Sequence, residues 1–580
     1  MQPQVRWSLP QADPEIVESL AAALGVQFPV ARVLWRRGYR EPEVARRFLD
    51  PSLADLHDPY LLRDMRPAVE RLRRAILEKE EILLYGDYDV DGAMSVVILK
   101  KAIELAGGAA RFHVPHRLRD GYGMRPDVVE KAASAGVKLI VSVDTGIRAA
   151  GVVVHANELG IDVIVTDHHL PESELPPACA VVNPNRTDCA YPEKNLCGAG
   201  VAFKLVQALF GTLGWTAARQ RRMLESFLKL VAIATVADVV PLTGENRILV
   251  KHGLAGLRTV RNAGLRALLD VAGFADGDGP SASQVAFRIA PRMNAAGRMA
   301  DANDVIDLFL TQDTKRAREL ADQLHALNQE RQQAEAEIVQ TILEECERTP
   351  VTGDQMALVF SGENWHRGVV GIVANRLVEK FNRPAFVLSE DPEEGLAHGS
   401  GRSVRAFHLL EALESMSGLF TRFGGHRQAA GLTVPVDRIS EFRRRLNEYA
   451  AARLTADDLV QELDVDAVLD LREISEKSVN EILRLAPFGF GNPAPLFAVL
   501  DAELAGPPVV WKDKHLRVGL KRNGRTVIAK AWNFVDRAEE LVAGARLDAV
   551  ISLQADPYSL SRGYPGWSAE IKDVRRSQER

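Results

Sequence analysis

Apolar and polar positions in the first half of the chain form blocks that predict strands and helices in turn. Short runs rich in Val, Ile and Leu lie within 80–89, 138–146 and 161–169, as expected of buried strands. Between them, 93–108 and 149–160 show helical apolar spacing, and the first of these ends in two glycines. This alternation predicts an α/β fold with a parallel sheet that is covered on both faces.

The second half of the chain predicts three further pieces. A charged stretch over 313–348 carries Leu and Ile at near-helical spacing, which predicts a long helix between two domains. A second α/β segment follows it, and short strands with turn residues then predict a small β-barrel. The predicted organisation is an N-terminal segment, an α/β domain, a connecting helix, a second α/β domain and a barrel domain, over 1–70, 71–312, 313–348, 349–458 and 459–580.

Composition agrees with several domains in a cytoplasmic protein. A chain of 580 residues is too long for one hydrophobic core. The four cysteines lack the paired spacing of disulfide scaffolds and zinc ribbons, which favours a reducing compartment. We find no apolar signal-peptide core and no apolar run of membrane length. The formal charge of −6 does not suggest a nucleic-acid partner, but basic clusters occur at 116–125, 219–223 and 422–428.

An acidic string follows the first predicted strand. Asp87, Asp89 and Asp91 lie in "GDYDVDG", which resembles part of a calcium-binding loop. An EF-hand would need a glutamate at the place that Ile98 occupies, so that reading is excluded. The alternative without chemistry is a capped strand-to-helix turn, in which one aspartate caps the helix and the others are solvated.

Acids and histidines also follow other apolar runs, and together they favour a metal site. Asp144 follows the second strand, Asp167, His168 and His169 follow the third, and we place Asp238 of "ATVADVVPL" at a further strand end. Ligands of open α/β sheets bind at the carboxyl ends of strands. Clustered carboxylates raise one another's pKa, and divalent cations remove that penalty. Oxygen ligands with one imidazole suit Mg²⁺ or Mn²⁺ better than zinc, and two such ions can promote attack of water on phosphorus.

The order of these motifs resembles a known superfamily. "DYDVDG", "VDTG", "TDHH" and "VADVVPL" match the acidic motifs of the DHH phosphoesterases. Later motifs resemble the RecJ family of single-strand-specific exonucleases, with its DHHA1 domain and its oligonucleotide-binding (OB) barrel. These later motifs are "RIAPRMNAAGRM", "WHRGVVGIVANRL", "GSGRS", "GGHRQAAG" and "LAPFGFGNPAPLF".

The resemblance implies a role for each acidic motif. It implies two divalent ions, Mn²⁺ or Mg²⁺, held by Asp87, Asp89, Asp144, His168 and Asp238, with Asp144 between them. His169 would contact the phosphate. Asp91 and Asp167 would support the ligands from behind.

The resemblance also implies a substrate, single-stranded DNA hydrolysed from the 5′ end to mononucleotides in recombination and repair. Arg117, Ser400 and Arg402 would hold the terminal 5′ phosphate. Arg292, Asn294 and Arg298 would line a channel too narrow for a duplex, and His426 would lie in a glycine-rich turn near the strand. Four barrel aromatics are candidates for base stacking, with core packing equally open for each, namely Phe488, Phe490, Phe497 and Trp511. The implied partners are a single-stranded-DNA-binding protein and a RecQ-type helicase, and the implied state is a monomer.

Two other functions remain open from the sequence. A small-substrate DHH phosphodiesterase would act on oligoribonucleotides or cyclic dinucleotides, although such relatives are usually shorter and lack the barrel. A protein that only binds single strands would be expected to have lost metal ligands, whereas all five mapped ligands are present here.

Overall fold

The computed structural model describes residues 5–577 except Ala12, Leu118 and Tyr564. The chain divides into two compact units. The larger unit contains 57–240 and 252–461, and the smaller contains 5–56, 241–251 and the chain from 462 onward. Among the described residues no single helix is both long enough and apolar enough to cross a bilayer. One pair of successive helices, Pro14–Leu24 and Phe28–Arg36, meets both criteria when taken together, but it is bent by 114°.

The larger unit begins with the predicted parallel sheet. Its five strands are all parallel, in the spatial order Ala110–His113, Glu81–Tyr85, Val137–Val143, Asp162–Thr166 and Ala180–Val182. The apolar residues of the central strands are buried, and only Glu81, Lys138 and Asp162 near the strand starts are exposed or half-buried. Each of these strands ends before its acidic motif, because the carboxylates belong to the turns that follow.

Helices cover this sheet and extend beyond it. Those in and around the sheet are Met65–Glu78, Val90–Leu105, Pro126–Ser134, Ala150–Glu158, Gly198–Gly211 and Ala217–Ala237. They are followed by Ala263–Val271, Ala282–Gln284, Ala290–Met299 and Asn303–Leu310, with a π-helical turn at Val285–Ile289. The helix Gly244–Gly256 begins within the stretch 241–251 that belongs to the smaller unit.

A 35-residue helix, Thr314–Arg348, follows where the charged stretch predicts it and leads to the second α/β domain. Ile338 and Ile342 in its second half belong to the core of that domain. The domain has a mixed sheet in the order Arg422–Gly425, Ala429–Pro435, Leu396–Arg402, Ala385–Asp391 and Leu358–Glu363. Its helices are Val370–Phe381, Leu409–Glu414 and Ile439–Ala451.

The smaller unit contains the predicted barrel. Its strands run in the order Ala467–Val468, Leu496–Leu504, Arg546–Ala555, Trp567–Arg576, Arg525–Ala531, His515–Arg522 and Val509–Trp511. Leu496–Leu504 also pairs with His515–Arg522, which closes the sheet on itself. The N-terminal helices Pro14–Leu24, Phe28–Arg36 and Pro42–Leu49 share one hydrophobic core with these strands and with helix Glu476–Leu483. The α/β fold with a C-terminal barrel is therefore confirmed.

Candidate metal centre and substrate-binding groups

The acidic motifs meet at the carboxyl ends of neighbouring parallel strands. Asp87 and Asp89 occupy the turn between Glu81–Tyr85 and the helix that follows. Asp89 caps that helix, since its Oδ1 accepts hydrogen bonds from the backbone N–H groups of Asp91 and Gly92 at 2.9 and 3.0 Å. Asp144 directly follows Val137–Val143 and has a φ of 58°, so the backbone leaves the sheet abruptly there.

Asp238 reaches the same place by a different route. The sequence places it at a strand end, and this is wrong, because Asp238 caps the C-terminus of helix Ala217–Ala237. The apolar run "VAIATVA" belongs to a buried helix, which short apolar patterns do not distinguish from a strand. A helix C-terminus carries partial negative charge, so this approach adds to the negative potential of the cluster.

The ligand atoms lie close to one another. Nε2 of His168 lies 3.1 Å from Oδ1 of Asp144 and 3.7 Å from Oδ2 of Asp238. Three sets of side chains each bring one ligand atom per residue within 4.8 Å of the others. The sets are Asp87 with Asp89 and Asp144, Asp144 with His168 and His169, and Asp91 with His168 and Asp238. Asp144 and His168 each belong to two sets, so the cluster has room for more than one ion.

Four of these atoms are buried and make no hydrogen bond to any described residue. They are Oδ1 of Asp87, Oδ1 of Asp144, Nε2 of His168 and Oδ2 of Asp238. A buried polar atom without a partner is costly, and here four face one another. Carboxylate oxygens with one imidazole are a donor set that accepts Mn²⁺ or Mg²⁺. The residues therefore fit a divalent metal centre.

The electrostatics support the same conclusion. Burial, together with the charge of Asp89, holds the pKa of Asp87 well above its usual value. Burial and the neighbouring aspartates do the same to the pKa of Asp144, and burial with Asp91 and Asp89 raises the pKa of Asp238 to about 9. Burial lowers the pKa of His168, which keeps the imidazole neutral as a ligand must be. These carboxylates can all be ionised only with cations between them.

Two further acids hold the cluster in place through backbone contacts. Asp91 is buried and accepts hydrogen bonds from the N–H groups of Gly198 and Ala199 at 2.6 and 2.8 Å. Asp167 accepts from Nδ1 of His169 at 2.7 Å and from the N–H of Ile147 at 2.9 Å. Burial opposes ionisation of Asp167, but its hydrogen bonds to His169 and Ile147 lower its pKa overall.

Three arginines form a second, positively charged group in the same unit. Nη1 of Arg298 donates to the carbonyl of Gly368 at 3.0 Å, and Nη1 of Arg402 donates to Oγ of Ser400 at 3.1 Å. The guanidinium of Arg117 lies 4.8 Å from the centre of the Tyr88 ring. Burial, then the charges of Arg117 and Arg402, lower the pKa of Arg298 to about 10. Within the described part of the chain none of the three arginines forms a salt bridge, so the group is suited to bind an anion.

Comparison with known proteins identifies the family. Residues 81–235 match the DHH family, N-terminal domain, 353–452 match the DHHA1 domain, and 465–563 match the RecJ OB domain. The chain is 38% identical over 550 residues to the single-stranded-DNA-specific exonuclease RecJ of Bacillus subtilis, covering 94% of this chain and 68% of the relative. It is 39% identical to RecJ of Escherichia coli, over 84% of this chain and 86% of the relative. This chain belongs to the RecJ family.

A solved RecJ structure agrees. The crystal structure of Thermus thermophilus RecJ in complex with Mn²⁺ superposes with a TM-score of 0.84 at 32% identity, over 99% of this chain and 80% of the other. The same protein in complex with Mg²⁺ gives a TM-score of 0.78. A metal centre at the acidic cluster of this chain is thus expected from its donor atoms and from its relatives alike.

The other residues predicted to bind substrate differ in their surroundings: some are buried or engaged in contacts within the protein, and others are exposed. Arg292 is engaged in packing, since its Nε donates to Nδ1 of His325 on the long helix at 3.2 Å. Asn294 and Arg298 lie on helix Ala290–Met299, and His426 lies beside the β-hairpin turn of the second α/β domain. Among the barrel aromatics, Phe497 is buried in the core and Phe488 packs against it. Phe490 and Trp511 are exposed.

Sequence reasoning missed several residues at the site. Nδ2 of Asn185 donates to the carbonyl of His168 at 2.5 Å, and Nδ2 of Asn183 donates to the carbonyl of His169 at 2.9 Å. The "NPN" sequence at 183–185 therefore holds the turn that carries the two histidines. Tyr122 contacts His169, and only its place between two glycines of the basic stretch 116–125 could have indicated it. Trp532 lies 5.1 Å from Trp511 between ring centres, a pairing that depends on strand register.

Proposed function

We propose that this chain is a metal-dependent exonuclease that degrades single-stranded DNA from the 5′ end to mononucleotides, in recombination and repair. The observation that carries the proposal is the convergence of four buried, unpartnered ligand atoms in a chain of the RecJ family. The relatives are named for single-stranded-DNA-specific exonuclease activity, and their metal-bound structures contain Mn²⁺ or Mg²⁺.

The acidic cluster supplies the hydrolytic centre. Asp87, Asp89, Asp144, His168 and Asp238 would hold two divalent ions. When bound, such ions lower the pKa of water to provide a nucleophile and offset the charge of the phosphate. Asp91 and Asp167 hold the ligand-bearing turns through the backbone bonds described above, so the ligands are preorganised.

His169 is suited to contact the phosphate. Burial alone would lower the pKa of His169, but the hydrogen bond and charge of Asp167 raise it overall. Its Nδ1 is engaged by Asp167, which leaves Nε2 for a phosphate oxygen. A protonated imidazole in this position would donate a charge-assisted hydrogen bond to an oxygen whose negative charge increases during attack.

The arginine group supports the 5′ polarity. A terminal phosphate monoester carries more negative charge than an internal diester, and Arg117, Arg298 and Arg402 are cations without salt bridges among the described residues. Helix Val370–Phe381 begins beside them, since a Cβ on Gly371 would lie 2.9 Å from Oγ of Ser400 and 3.2 Å from Nη2 of Arg402. A helix N-terminus favours an anion. Anchoring the 5′ end here would fix where the strand is cut.

The barrel supports binding of a longer strand. Trp511 and Trp532 are exposed and His515 lies between their strands, with ring centres 5.5 and 4.7 Å from the two tryptophans. Lys512 lies 5.2 Å from the Trp511 ring, so aromatic surface and positive charge occur together. Stacking aromatics beside cations are typical of sites for single-stranded nucleic acid.

The test is product analysis on single-stranded DNA, duplex DNA and RNA labelled at either end, with Mn²⁺ or Mg²⁺. We expect mononucleotides released from the 5′ end of single-stranded DNA only in the presence of metal. Asp144→Ala should lower the rate more than about 100-fold, and the exposed Asp276→Ala is the matched control. Endonucleolytic products, or full activity of Asp144→Ala, would refute the proposal.

The proposal also includes the domain boundaries, the oligomeric state, the location in the cell and the partner proteins. The domains would run over 71–312 and 349–458 for the two α/β parts and 459–580 for the barrel, in a monomeric cytoplasmic protein. A single-stranded-DNA-binding protein and a RecQ-type helicase would supply the single strand. Stimulation of duplex digestion by both partners together tests this point.

A further inference from the structure

A cavity of about 640 Å³ lies next to the acidic cluster, on the far side of His169. Its lining combines aromatic and cationic groups with aliphatic side chains, among them Tyr122, Met124, Arg148, Val152, His169 and His426. This size is typical of cavities that enclose small organic ligands. His169 and Asp167 of the catalytic group form one wall of this cavity, whereas its aromatic and aliphatic lining has no role in the reaction as described above.

Tyr122 presents an aromatic ring to this cavity. The residue is 52% exposed although its hydroxyl is hydrogen-bonded. The hydroxyl donates to the carbonyl of Asp144 at 3.4 Å and lies 3.3 Å from Nδ1 of His169. The ring is therefore held at its polar end by the residues of the metal centre, and its apolar part is left for another planar group.

The rest of the lining provides contact area. Ile147 and Met124 are buried beneath the cavity surface, and Val152 lies on the first turns of helix Ala150–Glu158. Aliphatic and aromatic walls bind any base by stacking and dispersion, because every base has a π-face. Such a surface fits an enzyme that must accept all four nucleotides.

The position of His169 connects the cavity to the reaction. This side chain lines the cavity, and its Nδ1 lies 4.0 Å from Oδ1 of Asp144. A phosphate held at the cluster and touching His169 therefore places an attached nucleoside at the mouth of the cavity. We propose that the cavity binds the base of a nucleotide that flanks the scissile phosphate, and that the base stacks on Tyr122. This inference rests on the proposed exonuclease function.

The test combines a ring deletion with a base deletion. Tyr122→Leu should raise KM on ordinary single-stranded DNA by about 5- to 100-fold, from the usual range of stacking contributions. Tyr122→Phe keeps the ring and should retain most of the affinity. Two further strands carry an abasic unit, one at the first position and one at the second. On one of these two strands, the one that lacks the stacked base, wild type and Tyr122→Leu should have equal KM. The exposed Tyr60→Leu is the control and should match wild type on every strand.

The outcomes separate this inference from the function on which it depends. If wild type degrades no single strand, the proposed function fails. If it degrades them but Tyr122→Leu loses the same factor on intact and on both abasic strands, base stacking is wrong. The inference is equally wrong if Tyr122→Phe is as impaired as Tyr122→Leu, because the hydroxyl then carries the effect.

A binding measurement gives a readout that is independent of turnover. Thymidine 5′-monophosphate is the probe, with affinity measured by isothermal titration calorimetry in the presence of Mn²⁺. Val152→Phe fills the cavity and should weaken binding at least tenfold. Val154→Phe, exposed on the same helix, should bind as wild type does. Equal affinities for the two variants would overturn the assignment of the cavity.

Discussion

Gly198 packs against Asp144 so closely that a Cβ added to the glycine would lie 2.6 Å from the Cβ of the aspartate and 2.8 Å from its Oδ1. Gly198 begins the helix Gly198–Gly211, whose first N–H groups bind Asp91. The N-terminus of this helix therefore supports the metal centre from behind.

Gly198→Ala should damage the metal centre without changing any ligand. The added methyl group would displace the Asp144 carboxylate, and changes in such supporting contacts typically cost 10- to 100-fold in metal affinity or activity. We expect Mn²⁺ affinity, measured by calorimetry, to fall by about that factor. Gly211→Ala is the control, since its Cβ would meet only Nε2 of Gln220 at 3.8 Å. Unchanged Mn²⁺ binding in Gly198→Ala would show that the packing of Gly198 does not position the metal ligands.

Gly371→Ala should weaken recognition of the 5′ phosphate. The methyl group would press on Nη2 of Arg402, a member of the arginine group, and on Oγ of Ser400, which accepts a hydrogen bond from Arg402. We expect the ratio of kcat/KM for 5′-phosphorylated over 5′-hydroxyl strands to fall about tenfold, the loss of about one charged hydrogen bond. Gly353→Ala, whose Cβ would meet no atom within 4 Å, should leave the ratio unchanged. A loss that is equal on both strands would place the phosphate elsewhere.

A buried ion-pair network joins the long helix to the second α/β domain. Glu335 is 2% exposed, accepts from Nη1 of Arg331 at 2.6 Å and contacts Arg376 on helix Val370–Phe381. Removing one member of a buried pair leaves an uncompensated charge. Glu335→Ala should therefore destabilise the protein by about 3–5 kcal/mol.

The double variant distinguishes a buried charge from lost packing. Arg331→Met with Glu335→Leu replaces both charges by apolar groups, and this should recover most of the stability that Glu335→Ala loses. Thermal unfolding of the three proteins at one salt concentration provides the comparison. If the double variant is as unstable as Glu335→Ala, the charge of Arg331 is not the cause.

The sequence predicts the parallel sheet and the acidic turns well because both depend on local patterns. Buried strands are short apolar runs, and the acids that follow them meet because neighbouring parallel strands end at the same edge. Asp238 shows the limit of this reasoning, since an apolar helix and an apolar strand look alike over seven residues.

The remaining contacts depend on tertiary placement. The N-terminal helices share a hydrophobic core with the barrel, which lies more than 400 residues later in the chain. A hydrogen bond from the backbone N–H of Gln27 to the carboxylate of Glu481 joins the same parts of the chain. Asn183 and Asn185 act on carbonyl groups 14 and 17 residues away in the sequence. Nothing in "NPN" alone indicates those acceptors, because a backbone carbonyl has no sequence signature.

The barrel contains an ion pair whose contribution to stability depends on pH. Nζ of Lys530 lies 2.7 Å from Oδ2 of Asp556, and this hydrogen bond lowers the pKa of Asp556 to about 2. Because the pKa of Asp556 is lower in the folded protein, the ion pair stabilises the folded state at pH values above the unfolded pKa of about 4, and this stabilisation is lost as pH falls toward 2.

Asp556→Asn should lower the free energy of unfolding by about 1–2 kcal/mol at pH 7, and roughly half of this difference from wild type should be gone at pH 3. Urea unfolding followed by tryptophan fluorescence at pH 7, 5, 4 and 3 measures this, with Lys530→Met expected to behave as Asp556→Asn does. A difference that stays constant down to pH 3 would contradict the lowered pKa of Asp556, because the hydrogen bonds from Lys530 and from the backbone N–H of Ser559 both favour the ionised carboxylate.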